Sequence, residues 1–179
     1  MSANFQILIA GFGGQGILFS GKCLVYTGML AGRQVSWLPS YGPEMRGGTA
    51  NCSVIISDEL IGSPIVTKPN VLVSMNRPSF DKYDGATQPG GKHFVDSTLV
   101  SKQTGRTDVD TYYIPATQMA DDMGLKGLAN MIMVGKILRE TGLCTLEELS
   151  IALKKMIPEK KAHLVDANLK AIRAGYDYE

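Results

Sequence analysis

Residues 5–32 read FQILIAGFGGQGILFSGKCLVYTGMLAG, and this stretch changes character twice. Phe5 to Ala10 is an apolar run of strand length. It breaks into glycines at Gly11, Gly13, Gly14 and Gly16, and Gln15 to Ala31 is long enough for a helix with apolar residues at helical spacing. Strand, glycine loop and helix make a Rossmann-like opening. Glycines there let the chain turn tightly and let an anionic group approach bare N–H groups at a helix start. Gly11, Gly13 and Gly16 also satisfy G-x-G-x-x-G, the dinucleotide spacing. A nicotinamide enzyme carries an acid about 20 residues further on to hold the ribose hydroxyls, and Val35 to Tyr41 contains none. Three readings stay open: contact with an anion or nucleotide, which the residues favour, close helix-to-sheet packing, and NAD binding.

On the helix, Ile17, Gly21, Leu24 and Gly28 form one stripe, Leu18, Val25 and Met29 a second, and Phe19, Cys23, Tyr26 and Leu30 a third; Lys22 is its only charge. A helix with scarcely any polar side is either sandwiched inside the fold or covered by another chain. The second reading is favoured, and with it the expectation that the isolated chain forms a homodimer or sticks to other surfaces.

Gln34 to Leu38 reads as a second strand, and Ser40 to Gly48 as an irregular loop. Within that loop Arg46, followed by Gly47 and Gly48, combines a guanidinium with exposable N–H groups, a receptor for phosphate or carboxylate. Loops leaving the same sheet edge converge, so this segment and the glycine loop are expected to face one ligand or one partner surface. The bland alternative is a weak Arg46–Glu44 surface pair. Ala50 to Ser57 largely alternates, with Cys52, Val54 and Ile56 on one face and mostly polar residues on the other, as in an antiparallel strand.

Val71 to Met75, His93 to Asp96 and Tyr112 to Ile114 read as further strands, with a short helix over Pro78 to Tyr83. Helices follow over Leu125 to Thr141, from a capping box at Thr145 to Glu148, and after Pro158. Alternation of strands and helices predicts a single α/β domain over residues 1–179: a three-layer α/β/α sandwich around a mostly parallel, mixed sheet.

Composition narrows the function classes. A formal net charge of +1 argues against nucleic acid as a partner. No stretch reaches the roughly 18 apolar residues of a membrane span, and the start has no basic leader, so a cytoplasmic protein is expected. Cys23, Cys52 and Cys144 are scattered and only His93 and His163 accompany them, so no iron–sulfur or zinc site is expected here. Cys23 and Cys52 read as small buried hydrophobes, and the histidines as local hydrogen-bonding groups. Charge is unevenly spread: Lys22, Arg33, Glu44 and Arg46 are the only charged residues up to Ser57, and ten of the 20 glycines lie between Gly11 and Gly48. The two features coincide on one candidate site. Arg77, after a strand, is a weaker candidate for the same edge; Tyr176 and Tyr178 form a docking tail or a frayed end. No Ser-His-Asp set, metal cluster or carboxylate pair emerges from the spacing, so no catalytic residue is assigned.

GFGGQG with its helix, PSYGPEMRGG, CSVIISD, and SPIV followed by PNVLVSMN together resemble the gamma subunit of 2-oxoacid:ferredoxin oxidoreductases, closest to the 2-oxoglutarate branch, over about Gln6 to Leu138. The resemblance implies a complex that converts a 2-oxoacid, coenzyme A and oxidised ferredoxin into acyl-CoA, carbon dioxide and reduced ferredoxin. It implies thiamine diphosphate, magnesium and [4Fe–4S] clusters on partner subunits: thiamine-binding alpha and beta subunits and a ferredoxin-like delta subunit. It also implies a part for this chain in assembly and coenzyme A access, with Gly13, Gly14, Gln15, Arg46, Gly47 and Gly48 at that site. Arg46 would hold a coenzyme A phosphate or an inter-subunit carboxylate, and the backbone of Gly13 to Gln15 would donate. The competing readings are a stand-alone nucleotide-binding protein or dehydrogenase, and a purely structural subunit.

Overall fold

The computed structural model describes residues 4–40 and 50–179. Six strands, β1 (Asn4–Gly11), β2 (Gln34–Ser40), β3 (Ala50–Ser57), β4 (Val71–Ser74), β5 (Lys92–Asp96) and β6 (Asp110–Ile114), form one sheet in the order β2-β3-β1-β4-β5-β6. β1, β4, β5 and β6 run parallel, while β3 is antiparallel to both β1 and β2. The helices are α1 (Ile17–Leu30), α2 (Arg77–Tyr83), α3 (Ala116–Asp122), α4 (Ala129–Thr141), α5 (Leu146–Met156) and α6 (His163–Asp177). This is the expected α/β fold with a mixed sheet. The main core joins Ile7, Ile9, Val54, Val73 and Phe94 of the sheet to α1, α3, α4, α5 and α6. On the opposite face Phe80 of α2 packs with Val95, Val100 and Tyr113.

The stripe of Ile17, Gly21, Leu24 and Gly28 is the sheet-facing side of α1, and all four are buried. A Cβ at Gly21 would lie 2.6 Å from the Cys52 Sγ, and one at Gly28 2.8 Å from the Ile56 Cγ2. The glycines therefore let the helix ride low on β3, where Leu24, fully buried, contributes about 2 kcal/mol.

Four features depart from the sequence expectation. The cover sought for α1 in a partner chain is largely provided by α5 of the same chain, with Met29 and Leu30 left exposed. The polar residues of β3 are covered as well, Ser53 and Ser57 being buried. α3 lies in a stretch read without a helix, and α4 begins at Ala129 rather than Leu125 because Gly124 and Gly127 take left-handed φ values of +67° and +86°. Finally, the Rossmann likeness ends after α1: β3, not β2, is the neighbour of β1, so β2 stands one strand too far to offer a ribose acid.

The end of the chain is docked on its own α4. Lys136 is almost buried, ion-pairs with Glu140 at 2.8 Å and donates to the Tyr178 carbonyl at 2.8 Å, while Arg139 sits over the Tyr176 ring.

Candidate functional site

The C-terminal ends of the parallel strands form one edge, the place where open α/β sheets bind ligands. Gly11, at the end of β1, pairs with Ala50, and Asn51 beside it pairs with Ser40. The described residues that flank 41–49 thus stand at the edge where the glycine loop turns. Arg46, Gly47 and Gly48 themselves lie outside the described residues.

Gly14 and Gly16 take φ values of +92° and +73°, which other residues rarely adopt. Gly16 is the N-cap of α1 and brings no side chain to it, so the first-turn N–H groups have no side-chain cap. Gln15 closes the loop from both ends. Its Oε1 accepts from the Phe12 N–H at 2.6 Å, and its Nε2 donates to the Met75 carbonyl at 3.0 Å, tying the loop to the end of β4. With its amide engaged by backbone, Gln15 shapes the loop, and Gly13 and Gly14 present exposed backbone.

Two clefts of about 270 Å³ each flank the loop. One lies between Gly14, Met75, Leu99 and Thr117, with Asp121 and Lys126 also on its lining. The other is apolar, bounded by Phe12, Leu18, Phe19 and Ala50. Beneath the first, buried Asp96 accepts from the Thr117 hydroxyl at 2.6 Å and from the Thr98 N–H at 3.1 Å, joining β5 to the start of α3.

Two asparagines stand at this edge: Asn130 was not singled out from sequence, and Asn76 closes the PNVLVSMN motif without having been given a role of its own. Asn130, at the start of α4, donates from Nδ2 to the Gly16 carbonyl at 3.2 Å and to Ser20 Oγ at 3.0 Å. A β-carbon on Gly16 would collide with that amide. Asn76 caps α2 by accepting from the Ser79 N–H at 2.8 Å, while its Nδ2 is buried without a partner. The only sequence signal for Asn130 was a polar residue interrupting an apolar run. Arg77 stands beside Asn76, but its Nε is held by Asp81 at 2.7 Å. Lys102, also 2.7 Å from Asp81, and Arg77 hold that carboxyl below the usual carboxylate range.

Spacing gave no Ser-His-Asp set, yet the fold brings one together. Ser74 Oγ lies 2.8 Å from His93 Nε2, and His93 Nδ1 lies 3.2 Å from Asp84 Oδ1. Ser74 and His93 are fully buried, and His93 stacks on Phe80. Burial pushes the His93 imidazole down to about 4, against the pull of Asp84. With no opening to a substrate, the serine joins a hydrogen-bonded strut between β4, β5 and the turn after α2. Of the thiols, Cys23 and Cys52 are buried and Cys144 is half-buried; burial pushes all three up to about 12, which suits packing more than reactivity. Among the described residues no helix is long and apolar enough to cross a membrane.

Comparison with known proteins gives the chain as a whole its relatives. The family model described as pyruvate ferredoxin/flavodoxin oxidoreductase matches residues 6–178. The ketoisovalerate oxidoreductase subunit VorA of Methanothermobacter thermautotrophicus is 40% identical over 97% of this chain, which spans 36% of that relative's length. The 2-oxoglutarate synthase subunit KorC of Methanocaldococcus jannaschii is 36% identical over 96% of this chain and 92% of its own. Among solved structures, the gamma subunit of a keto/oxoacid ferredoxin oxidoreductase from Geobacter sulfurreducens superimposes with a TM-score of 0.82 at 28% identity, covering 97% of this chain and 96% of that one.

Proposed function

The chain belongs to the pyruvate ferredoxin/flavodoxin oxidoreductase family, and from that premise we propose that it is the gamma subunit of a 2-oxoacid:ferredoxin oxidoreductase. The complex oxidatively decarboxylates a 2-oxoacid with coenzyme A, giving acyl-CoA, carbon dioxide and reduced ferredoxin. 2-Oxoglutarate is the substrate we favour, supported by the match along nearly the whole KorC chain; a branched-chain oxoacid is the second reading, favoured by the higher identity to VorA. Thiamine diphosphate, magnesium and [4Fe–4S] clusters belong in this reading to partner subunits, the thiols here being packed as apolar side chains.

The share of the work assigned to this chain is assembly and coenzyme A access at the glycine-loop edge. The observation that carries it is the clamped loop itself, with exposed backbone at Gly13 and Gly14 and an α1 start left without a side-chain cap. Such a start favours phosphate. Arg46, Gly47 and Gly48 are proposed to complete the receptor.

Co-expression with the partner subunits under anaerobic conditions tests both levels. kcat/KM measured for 2-oxoglutarate, ketoisovalerate and pyruvate should be highest for 2-oxoglutarate; a preference for ketoisovalerate would move the assignment to the second reading. Gly14→Ala, strained only by its backbone angle, should raise the KM for coenzyme A. An unchanged KM there and in Arg46→Ala would leave the chain a purely structural subunit.

A further inference from the structure

α6 is drawn against α4, whereas α5 packs chiefly on α1. The two helices therefore diverge and leave an open groove of about 650 Å³ between them. Its floor is apolar: Ile151 is 46% exposed and Leu169 half-buried. Its rim is basic, with Lys154 from α5 and Lys170 and Arg173 from α6 set against the single acid Glu147. None of these three cations makes an ion pair among the described residues. Arg33, Arg77, Lys92, Lys102, Arg106 and Lys136 each hold a carboxylate, and these three belong with the described cations that do not. Uncompensated positive charge beside an exposed isoleucine is a surface complementary to an apolar stripe edged with acids.

We propose that the α5–α6 groove docks an acidic amphipathic helix of another protein. Apolar residues at i, i+3 or i+4 and i+7 of that helix rest on Ile151 and Leu169, and its flanking Asp and Glu residues meet Lys154, Lys170 and Arg173. Charge selects this occupant over a second copy of the chain, since isologous pairing of this face would set the same cations against one another. None of the groove's residues lines the clefts beside the glycine loop, so the proposal stands apart from the coenzyme A reading.

The test uses the full chain and a fluorescein-labelled synthetic helix of roughly 18 residues, with leucines on one stripe and glutamates beside it. A peptide of the same composition in scrambled order is the control. Anisotropy should show binding of the amphipathic peptide alone, weaker at about 300 mM than at about 50 mM salt, with amide shift changes confined to α5 and α6. Lys170→Glu combined with Arg173→Glu should weaken it at least about tenfold, and Ile151→Asp should abolish it. Ile151→Ser replaces the latter if Ile151→Asp lowers Tm. No binding, equal binding of the scrambled peptide, shift changes elsewhere, or indifference to the charge reversals would overturn the proposal. So would a dimer, seen by sedimentation, that excludes the peptide.

Discussion

Gly135 of α4 and Gly175 of α6 face each other across a backbone contact: a β-carbon on Gly135 would fall on the Ile172 carbonyl, and one on Gly175 on the Ile132 carbonyl. Backbone cannot yield as a flexible side chain can. Either Gly→Ala change should therefore force the helices apart and cost about 3 kcal/mol, lowering Tm by roughly 6–12 °C for a chain of this size. Gly105→Ala, with open space around it, is the matched control and should leave Tm within a degree or two. Calorimetry on the three variants decides it; a tolerant Gly135→Ala would mean that the helices are not in backbone contact.

Gln15→Leu removes an acceptor from the Phe12 N–H and a donor from the Met75 carbonyl at once. The expected loss is about 1–3 kcal/mol, together with faster amide exchange over residues 12–16 and a raised KM for coenzyme A in the assembled enzyme. Gln15→Glu keeps the acceptor but turns an oxygen toward the Met75 carbonyl, so it should restore little. Unchanged exchange in Gln15→Leu would show that the loop holds its shape without the clamp.

His93 makes stability depend on pH. Its folded value, about 4, lies below the ordinary 6.5, so between these values the unfolded chain binds more protons. The contribution is fully present above about 6.5 and is lost as pH falls toward 4, by up to about 3 kcal/mol. Urea unfolding at stepped pH should show this slope, and His93→Gln should flatten it. An imidazole that titrates near 6.5 in the folded protein by NMR would remove the basis for the effect.

Arg46→Ala in the reconstituted complex should weaken coenzyme A binding by about 1.5–3 kcal/mol, or ~10–150-fold, through loss of a charge-assisted contact. Arg46→Lys should recover only part, because an ammonium keeps attraction but not the paired donors of a guanidinium. If Arg46 instead meets a partner subunit, complex mass will fall while the KM for coenzyme A of the intact fraction stays constant.

What could be read from the chain beforehand was what local pattern encodes. β3 was placed residue for residue, the helical spacing grouped Ile17, Gly21, Leu24 and Gly28 into the stripe that the fold turns to the sheet, and Thr145 and Glu148 do form a reciprocal cap. α3 was missed because it is seven residues long, starts behind Pro115 and has no side-chain cap. The insertion of β3 beside β1 and the laying of α5 over α1 depend on long-range packing, to which periodicity is blind. The same holds for the Ser74–His93–Asp84 contacts and for Asn130 under the glycine loop: their partners are set by strand register, not by spacing along the chain.

The Gln15 clamp also decides when the glycine loop gives up its freedom. Ordering backbone costs about 1–2 kcal/mol per residue, most of all for glycine. Because residues 12–16 are fixed to the end of β4 as the domain folds, that entropy is lost then and not on ligand encounter. In the coenzyme A reading proposed above, a ligand would meet the backbone of Gly13 and Gly14 already shaped, and its affinity would carry no charge for ordering the loop. Under the proposed coenzyme A reading, this half of the receptor would act as a preformed mould, with its share of the association limited by diffusion and orientation rather than by a closing motion of residues 12–16.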